Sequence, residues 1–374
     1  MRSPHRDACH ARSRLRFHPL VFYLPPRLDS LILLVREGHG TNVIAESRRS
    51  DYDVTDTVLV SSAPDVRAAI EELFAKVWPD QKFPAFAHVF GDFDRMFSGR
   101  MPGYYGVDTV YHDQQHTLDI TLATARLIAG YELQVPDAQK FGPERAMLGI
   151  VVALFHDVGY LRTTRDTEVP NGAEFTTVHV SRGAAFLTDY LPKISLGHWV
   201  KVAAEIIHYT GYERPFKTIV APDPRDHKLG HLVGTADLMA QMADRCYLEK
   251  CRDRLYAEFV LAGVALPIGE NGHVKVRYAS GLDLLRQTPK FVFDMRAKRL
   301  DGEFNRAYRY LEILYGGRNP YMASIDRNLE YLQRILRSEN WRLLRRQPPV
   351  FTGVEDSMAT TRTLMLGAIK KVWG

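Results

Sequence analysis

The sequence predicts an all-α protein, and three observations carry that expectation. Apolar residues recur at helical spacing in successive segments, and proline with acidic residues stands where helices should start. The histidines and aspartates that could do chemistry lie on or beside those apolar runs, so they can converge in the core of a helical bundle. At 45% hydrophobic and 25% charged residues, the 374-residue chain can bury a large core.

Taken in order, residues 1–60 read as a short, irregular, Arg-rich segment, either disordered or translated from a mis-assigned start. Its apolar run at 31–35 is far too short to span a bilayer and is crowded by Arg27, Asp29 and Arg36. Residues 61–260 read as the main helical domain. Ser62-Ala63-Pro64-Asp65 opens a helix that continues over 66–77 and ends at Pro79 and Pro84. The stretch 86–101 reads as loop and turn, ending at Pro102-Gly103. Helices are expected over 111–131, from Pro143 to the end of the apolar run at Phe155, and over 178–190, 197–209 and 229–251. The segment 215–227 is rich in proline and charge and reads as a loop and candidate lid. Residues 261–374 read as a mainly helical extension packed on that domain, with a hairpin or loop over 260–278 and helices over 304–315, 322–337 and 356–372.

The run VVALFHDVGY holds the most specific signal. His156 and Asp157 close an apolar segment, and two ionisable groups at the end of a buried helix need partners, because burying them unpaired costs several kcal/mol. A cation would satisfy both. Further metal-ligating side chains follow the same pattern: His112 and His116 in YHDQQHTLDI, His179 in VHVSRGAAFL, His208 in EIIHYTGY and Asp237 in GTADLMAQM. Imidazoles mixed with carboxylates suit zinc, manganese, magnesium or iron rather than an all-oxygen calcium site. Plainer roles exist for some of them. His179 could cap a helix, His208 could be a core histidine bonded to a carbonyl, and His112 could be an acid, a ligand or a group that supports one.

The order His, His-Asp, His, His, Asp on successive helices resembles the HD superfamily of metal-dependent phosphohydrolases. YHDQQHTLDIT also resembles the Y-H-N-x-x-H-x-x-D-V signature of class I cyclic-nucleotide phosphodiesterases. The resemblance spans about residues 111–237 and implies an HD-type helical bundle with one or two divalent metal ions in its core. It implies His116, His156, Asp157 and Asp237 as ligands of the first metal, with Asp157 bridging to a second that also takes His179 and His208. It further implies His112 as the acid that protonates the leaving oxygen, and Asp119 as a carboxylate orienting a ligand. Departures are plain. Asp113 replaces the usual Asn, the run His156-Asp157-Val158-Gly159-Tyr160 lacks both the further histidine that follows the pair in the phosphodiesterases and the lysine of the HD-GYP enzymes, and no GYP motif follows.

Around this set, Arg162, Arg165, Arg214 and Lys217 are candidate phosphate-binding residues, since each follows a ligand-bearing segment. Tyr160, Tyr209 and Tyr212 are candidates for a pocket wall. The net charge of +5 sits in residues 1–50, which hold nine Arg against four acids; the rest is balanced at 40 basic to 40 acidic residues. A nucleic acid polymer is therefore not an expected partner, whereas a small phosphorylated substrate, a nucleotide by preference, is. Three cysteines without metal or disulfide spacing fit a reducing cytoplasm. No membrane association is expected, and self-association stays open. The leading functional expectation is a phosphodiesterase or nucleotidase acting through a metal-activated water. The alternatives are an HD-type mixed-valence di-iron oxygenase, because some HD folds hold iron with the same residues, and a non-catalytic nucleotide-binding HD module.

Overall fold

A computed structural model describes residues 49–373 except Glu270. The leading segment up to residue 48, and with it the reading of disorder or a mis-assigned start, lies outside the described residues.

Among the described residues there are twelve α-helices and no strand: α1 (Ala63–Val77), α2 (Ala85–Phe97), α3 (Gln114–Gln134), α4 (Gly142–Leu154), α5 (His179–Tyr190), α6 (Val200–Ile206), α7 (Pro224–Ala243), α8 (Tyr247–Lys250), α9 (Tyr256–Leu261), α10 (Gly281–Met295), α11 (Pro320–Ser338) and α12 (Ser357–Trp373). The all-α expectation holds. Helix α3 is the axis of the molecule, with α1, α4, α7 and the 3₁₀ segment Ala307–Tyr315 packed around it. Its residues are buried on every side from Gln115 to Leu118 and from Ile120 to Glu132, which explains why it has no single apolar face. Helices α4 and α7 are buried almost as completely, and these three carry His116, the approach to His156-Asp157, and Asp237.

Several starts follow the sequence. Ser62 caps α1 with Pro64 and Asp65 in its first turn, and Asp113 caps α3. Other elements differ from expectation. Residues 85–97 form α2 rather than loop and turn, because Phe86, Val89, Phe90, Phe93, Met96 and Phe97 fall on one face and bury it, outweighing Pro84 and Gly91. The helix expected over 229–251 starts earlier, at Pro224 under an Asp223 cap, and stops at Ala243. Asp244 turns the chain there by accepting from Cys246 N (2.6 Å) and Lys250 Nζ (2.6 Å). The π-helical turn Cys251–Leu255 then leads into α9. The candidate lid is shorter than expected, since Pro224–His227 belongs to α7 and Arg145 holds Asp223 (3.0 Å) and Asp226 (2.6 Å). Helix α10, started by Ser280 and carrying Pro289 inside it, was not foreseen. The hairpin reading of 260–278 reduces to one isolated bridge, Ile268 with Val274.

Residues 49–60, expected to share the irregularity of the leading segment, are instead folded: Val54 and Val60 join the core, and Tyr52 bridges Leu59. One large buried cluster runs from Val54 to Leu344, across residue 260, and a second, small one joins Val260, Ala265 and Leu266 to α12. Cys246 and Cys251 are buried free thiols. Among the described residues, no helix is long and apolar enough to cross a membrane.

Candidate metal centre

The apolar helix α4 ends at Leu154, and His156 and Asp157 follow in the tight turn that leads to Val158–Tyr160. His156 Nδ1 donates to Ala153 O at 2.7 Å, which fixes the ring and leaves Nε2 for the site. Asp157 Oδ2 lies 3.2 Å from His156 Nε2 and 3.4 Å from His116 Nε2, while Asp237 Oδ1 lies 4.0 Å from His156 Nε2. His156 Nε2 and Asp157 Oδ2 are buried without a hydrogen bond, so their approach lacks hydrogen-bond alignment. His116, His156 and Asp237 each offer a ligand atom within 4.8 Å of the others, as do His112, His116 and Asp157.

Each of these side chains is held from behind. Asp113 Oδ1 accepts from His116 N (3.0 Å) at the start of α3. Gln241, one turn beyond Asp237, donates to Asp237 Oδ1 (3.3 Å) and accepts from Tyr111 Oη (3.1 Å). His179 opens α5, its Nδ1 donating to Thr176 O (2.8 Å) and its Nε2 lying 3.8 Å from Asp157 Oδ1, the carboxylate's other oxygen. Gly159 makes that approach possible, for a Cβ there would stand 1.8 Å from His179 O. Glu213 accepts from Val180 N (2.7 Å) and Ser181 N (3.0 Å), tying down the first turn of α5.

His112 precedes α3 instead of sharing its face with His116, yet the two rings are 5.3 Å apart. Its Nδ1 meets Glu258 Oε2 at 2.6 Å, and Glu258 Oε1 accepts from Tyr111 N at 2.6 Å. Tyr160 is stacked between the rings of His112 (4.5 Å) and His179 (4.4 Å). The His112 and His179 side chains keep 16% and 14% of their surface, whereas His156 keeps 2% and Asp157 3%. Access to the cluster therefore lies on the His112–His179 side.

The electrostatics follow from burial among carboxylates. Burial opposes charge on His156, but Asp157 and then Asp237 override it and push the imidazole up to about 9. For Asp157, burial works upward and is overcome by His156 and His116, so the carboxyl is held well below its usual range. Burial is only partly offset at Asp237, which is raised. Burial likewise opposes charge on His112, and the Glu258 carboxylate, with Asp157 and Asp237 beyond it, raises the imidazole above its ordinary value. Burial lowers His179 against the pull of Asp157.

The structure thus brings together His112, His116, His156, Asp157, His179 and Asp237. His208 is buried in the turn Ile207–Thr210 with its Nδ1 unbonded and is lowered by burial and by Arg214; no ion pair or ring contact joins it to Asp157 among the described residues. Asp119 lies on α3 beyond His116, and its charge reaches Tyr321. Of the phosphate-binding candidates, Arg162 donates to Asp108 (2.7 Å) and Val169 O, and Arg214 pairs with Glu205 (3.1 Å). Arg165 is exposed in a loop and Lys217 on the 3₁₀ turn Phe216–Thr218. Tyr209 bonds His227 (2.7 Å) in a separate aromatic cluster, and Tyr212 is exposed with its hydroxyl on Met295 Sδ (3.2 Å). Sequence reasoning missed Glu258, Gln241 and Glu213. The only available cue for Glu258 was an acid inside the apolar run YAEFVL, which the structure buries completely.

Residues 100–330, more than half of the chain, match the Npun_R2479-like family. The chain belongs to that family. Every residue of the cluster, with Glu258 and Gln241, falls inside the span shared with Npun_R2479-like proteins, whereas residues 331–373 fall outside it. No curated protein and no solved structure matches the chain.

Proposed function

We propose that the protein is a metal-dependent phosphohydrolase of HD type that acts on a small nucleotide phosphoester. The observation that carries this reading is the pair of buried, unbonded atoms His156 Nε2 and Asp157 Oδ2, 3.2 Å apart, with His116 Nε2 3.4 Å from the same oxygen. Ligand atoms about 2.1 Å from one cation stand roughly 3.0–3.5 Å from each other, so the spacing suits a shared ion. With its Nδ1 proton given to Ala153 O, a neutral His156 presents a lone pair toward a carboxylate. That arrangement is unfavourable in a buried site unless a proton or a cation lies between them.

His116, His156, Asp157 and Asp237 would hold the first divalent cation. Asp157 Oδ1, 3.8 Å from His179 Nε2, is the natural start of a second position. Divalent cations held there would supply Lewis acidity for a phosphoryl oxygen and lower the pKa of water so that hydroxide is available near neutral pH. The protein's own residues do the rest. Glu258 holds His112 by Nδ1, so Nε2 can carry the proton that the departing alkoxide needs. Tyr160, wedged between His112 and His179, keeps both rings from turning. Asp113 and Gln241 fix the backbone of His116 and the carboxylate of Asp237.

The test is hydrolysis of a panel of cyclic and linear nucleotides in the presence of manganese, magnesium or zinc. Activity should vanish in Asp157→Ala. In His112→Ala it should fall by roughly two to four orders of magnitude while bound metal is retained. Undiminished hydrolysis by Asp157→Ala, or oxygen consumption by an iron-loaded protein that hydrolyses none of the panel, would overturn the proposal.

A further inference from the structure

We infer that the segment 344–353, which lies outside the span matching the family, is a built-in part of the site and sets the turn carrying Tyr111, His112 and His116. After the short turn Trp341–Leu343 the chain runs without regular structure toward α12, yet it is bonded along much of its length. Arg252 donates to Leu344 O (2.9 Å), Arg346 to Arg245 O (3.0 Å), and Arg254 to Pro348 O and to Pro349 O (3.0 Å). The strap then reaches the candidate site itself. Gln114 N donates to Phe351 O (3.0 Å), Phe351 N donates to Asp113 Oδ2 (3.2 Å), and Gly353 N donates to Val107 O (2.8 Å).

Two buried charges make the strap indispensable. Asp113 is fully buried; one oxygen caps His116 and the other takes Phe351 N, with Arg254 Nη1 3.6 Å away. Arg254 is itself buried, and two of its acceptors are strap carbonyls. Four residues on, one helical turn along the same face, stands Glu258, which grips Tyr111 N and His112 Nδ1. The strap therefore satisfies Arg254 and Asp113, and those two frame the turn from which His112 and His116 project. This explains a carboxylate at 113, where the phosphodiesterase signature has an amide: both oxygens accept, and an arginine lies beside them. Seating at the far end is equally tight, since a Cβ on Gly353 would stand 2.2 Å from Phe97 O.

The inference uses the metal-centre reading for one of its readouts but stands on the geometry of the turn. Its test compares full-length Phe351→Pro, which removes the donor to Asp113, and Gly353→Val, which unseats the strap, with the wild type. Ile335→Val, a core change on α11 of modest destabilisation, serves as control. Both strap variants should bind cobalt(II) about tenfold more weakly by its visible absorption, and the amides of 111–118 should exchange hydrogen faster. Ile335→Val should alter neither. Wild-type affinity and exchange in both strap variants, or the same losses in Ile335→Val, would overturn the inference. If the wild type itself takes up no cobalt, the metal reading fails, and amide exchange alone decides the role of the strap.

Discussion

Helix α3 carries two buried polar clusters, and only one is internally complete. Around Arg126, Nη1 donates to Asp53 Oδ2 (2.8 Å) and to Tyr321 Oη (2.8 Å), while Asp53 also accepts from the backbone N–H groups of Thr55, Thr57 and Val58. Every oxygen of that carboxylate is used, and its charge is matched. Three turns back toward the N-terminus, His156 Nε2 and Asp157 Oδ2 face each other across 3.2 Å with no hydrogen bond. A closed network fixes the fold; an open one of the same burial is what the proposed cation would complete. The two clusters should therefore respond oppositely to substitution.

The largest effect on stability belongs to the closed cluster. Asp53→Ala leaves Arg126 buried without its carboxylate and should cost about 3–5 kcal/mol in chemical denaturation, with metal per folded chain unchanged. Burial tends to raise Asp53, but Arg126 and the Thr55 and Val58 bonds hold it well below the usual range. A depressed carboxyl contributes stability above its unfolded value near 3.8, so that contribution should fade as pH falls below about 4. Loss of metal in this variant would erase the distinction between the clusters.

Next comes the link between the open cluster and its support. Glu258→Gln keeps one acceptor where two are used and removes the charge that raises His112. Hydrolysis should drop roughly 10–100-fold with metal retained. The basic limb of the pH–rate profile should also move to lower pH, because an acid of lower pKa loses its proton earlier. A lower rate with an unmoved limb would mean that Glu258 only supports the fold.

The smallest effect is a titration. Without a cation His156 holds a proton up to about pH 9, and a cation needs that Nε2 lone pair. Affinity should weaken as pH falls through neutrality, with a proton released from this group on cation binding. Calorimetry in buffers of different ionisation enthalpy counts that proton, and binding without release would place the cation elsewhere.

The comparison also shows how much was legible in the sequence. His116, His156, Asp157, His179 and Asp237 could be named because each lies on or beside an apolar helical run, and the structure brings them to one place. His208 follows the same local pattern, and the charges that act on it are Arg214, Glu213 and Glu205, of which Glu213 also lies 3.9 Å from His179 Nδ1. Glu258 and the strap were invisible because their partners lie 92 or more residues away and obey no periodicity. The ion pairs of Arg162 with Asp108 and of Arg214 with Glu205 were likewise not read from the sequence. For the fold, capped helices were readable, whereas α2 was obscured by Pro84 and Gly91 and α10 by its internal Pro289. In both, burial of an apolar face overrode the local helix-breaking residues.

The central claim is that the open cluster holds a cation, and elemental analysis of the purified protein with Asp157→Ala beside it tests this most directly. One or two equivalents of zinc, manganese, magnesium or iron per wild-type chain, and none in the folded variant, is the predicted result. Folded wild-type protein that takes up no metal even after reconstitution, or a variant that retains it in full, would contradict the account.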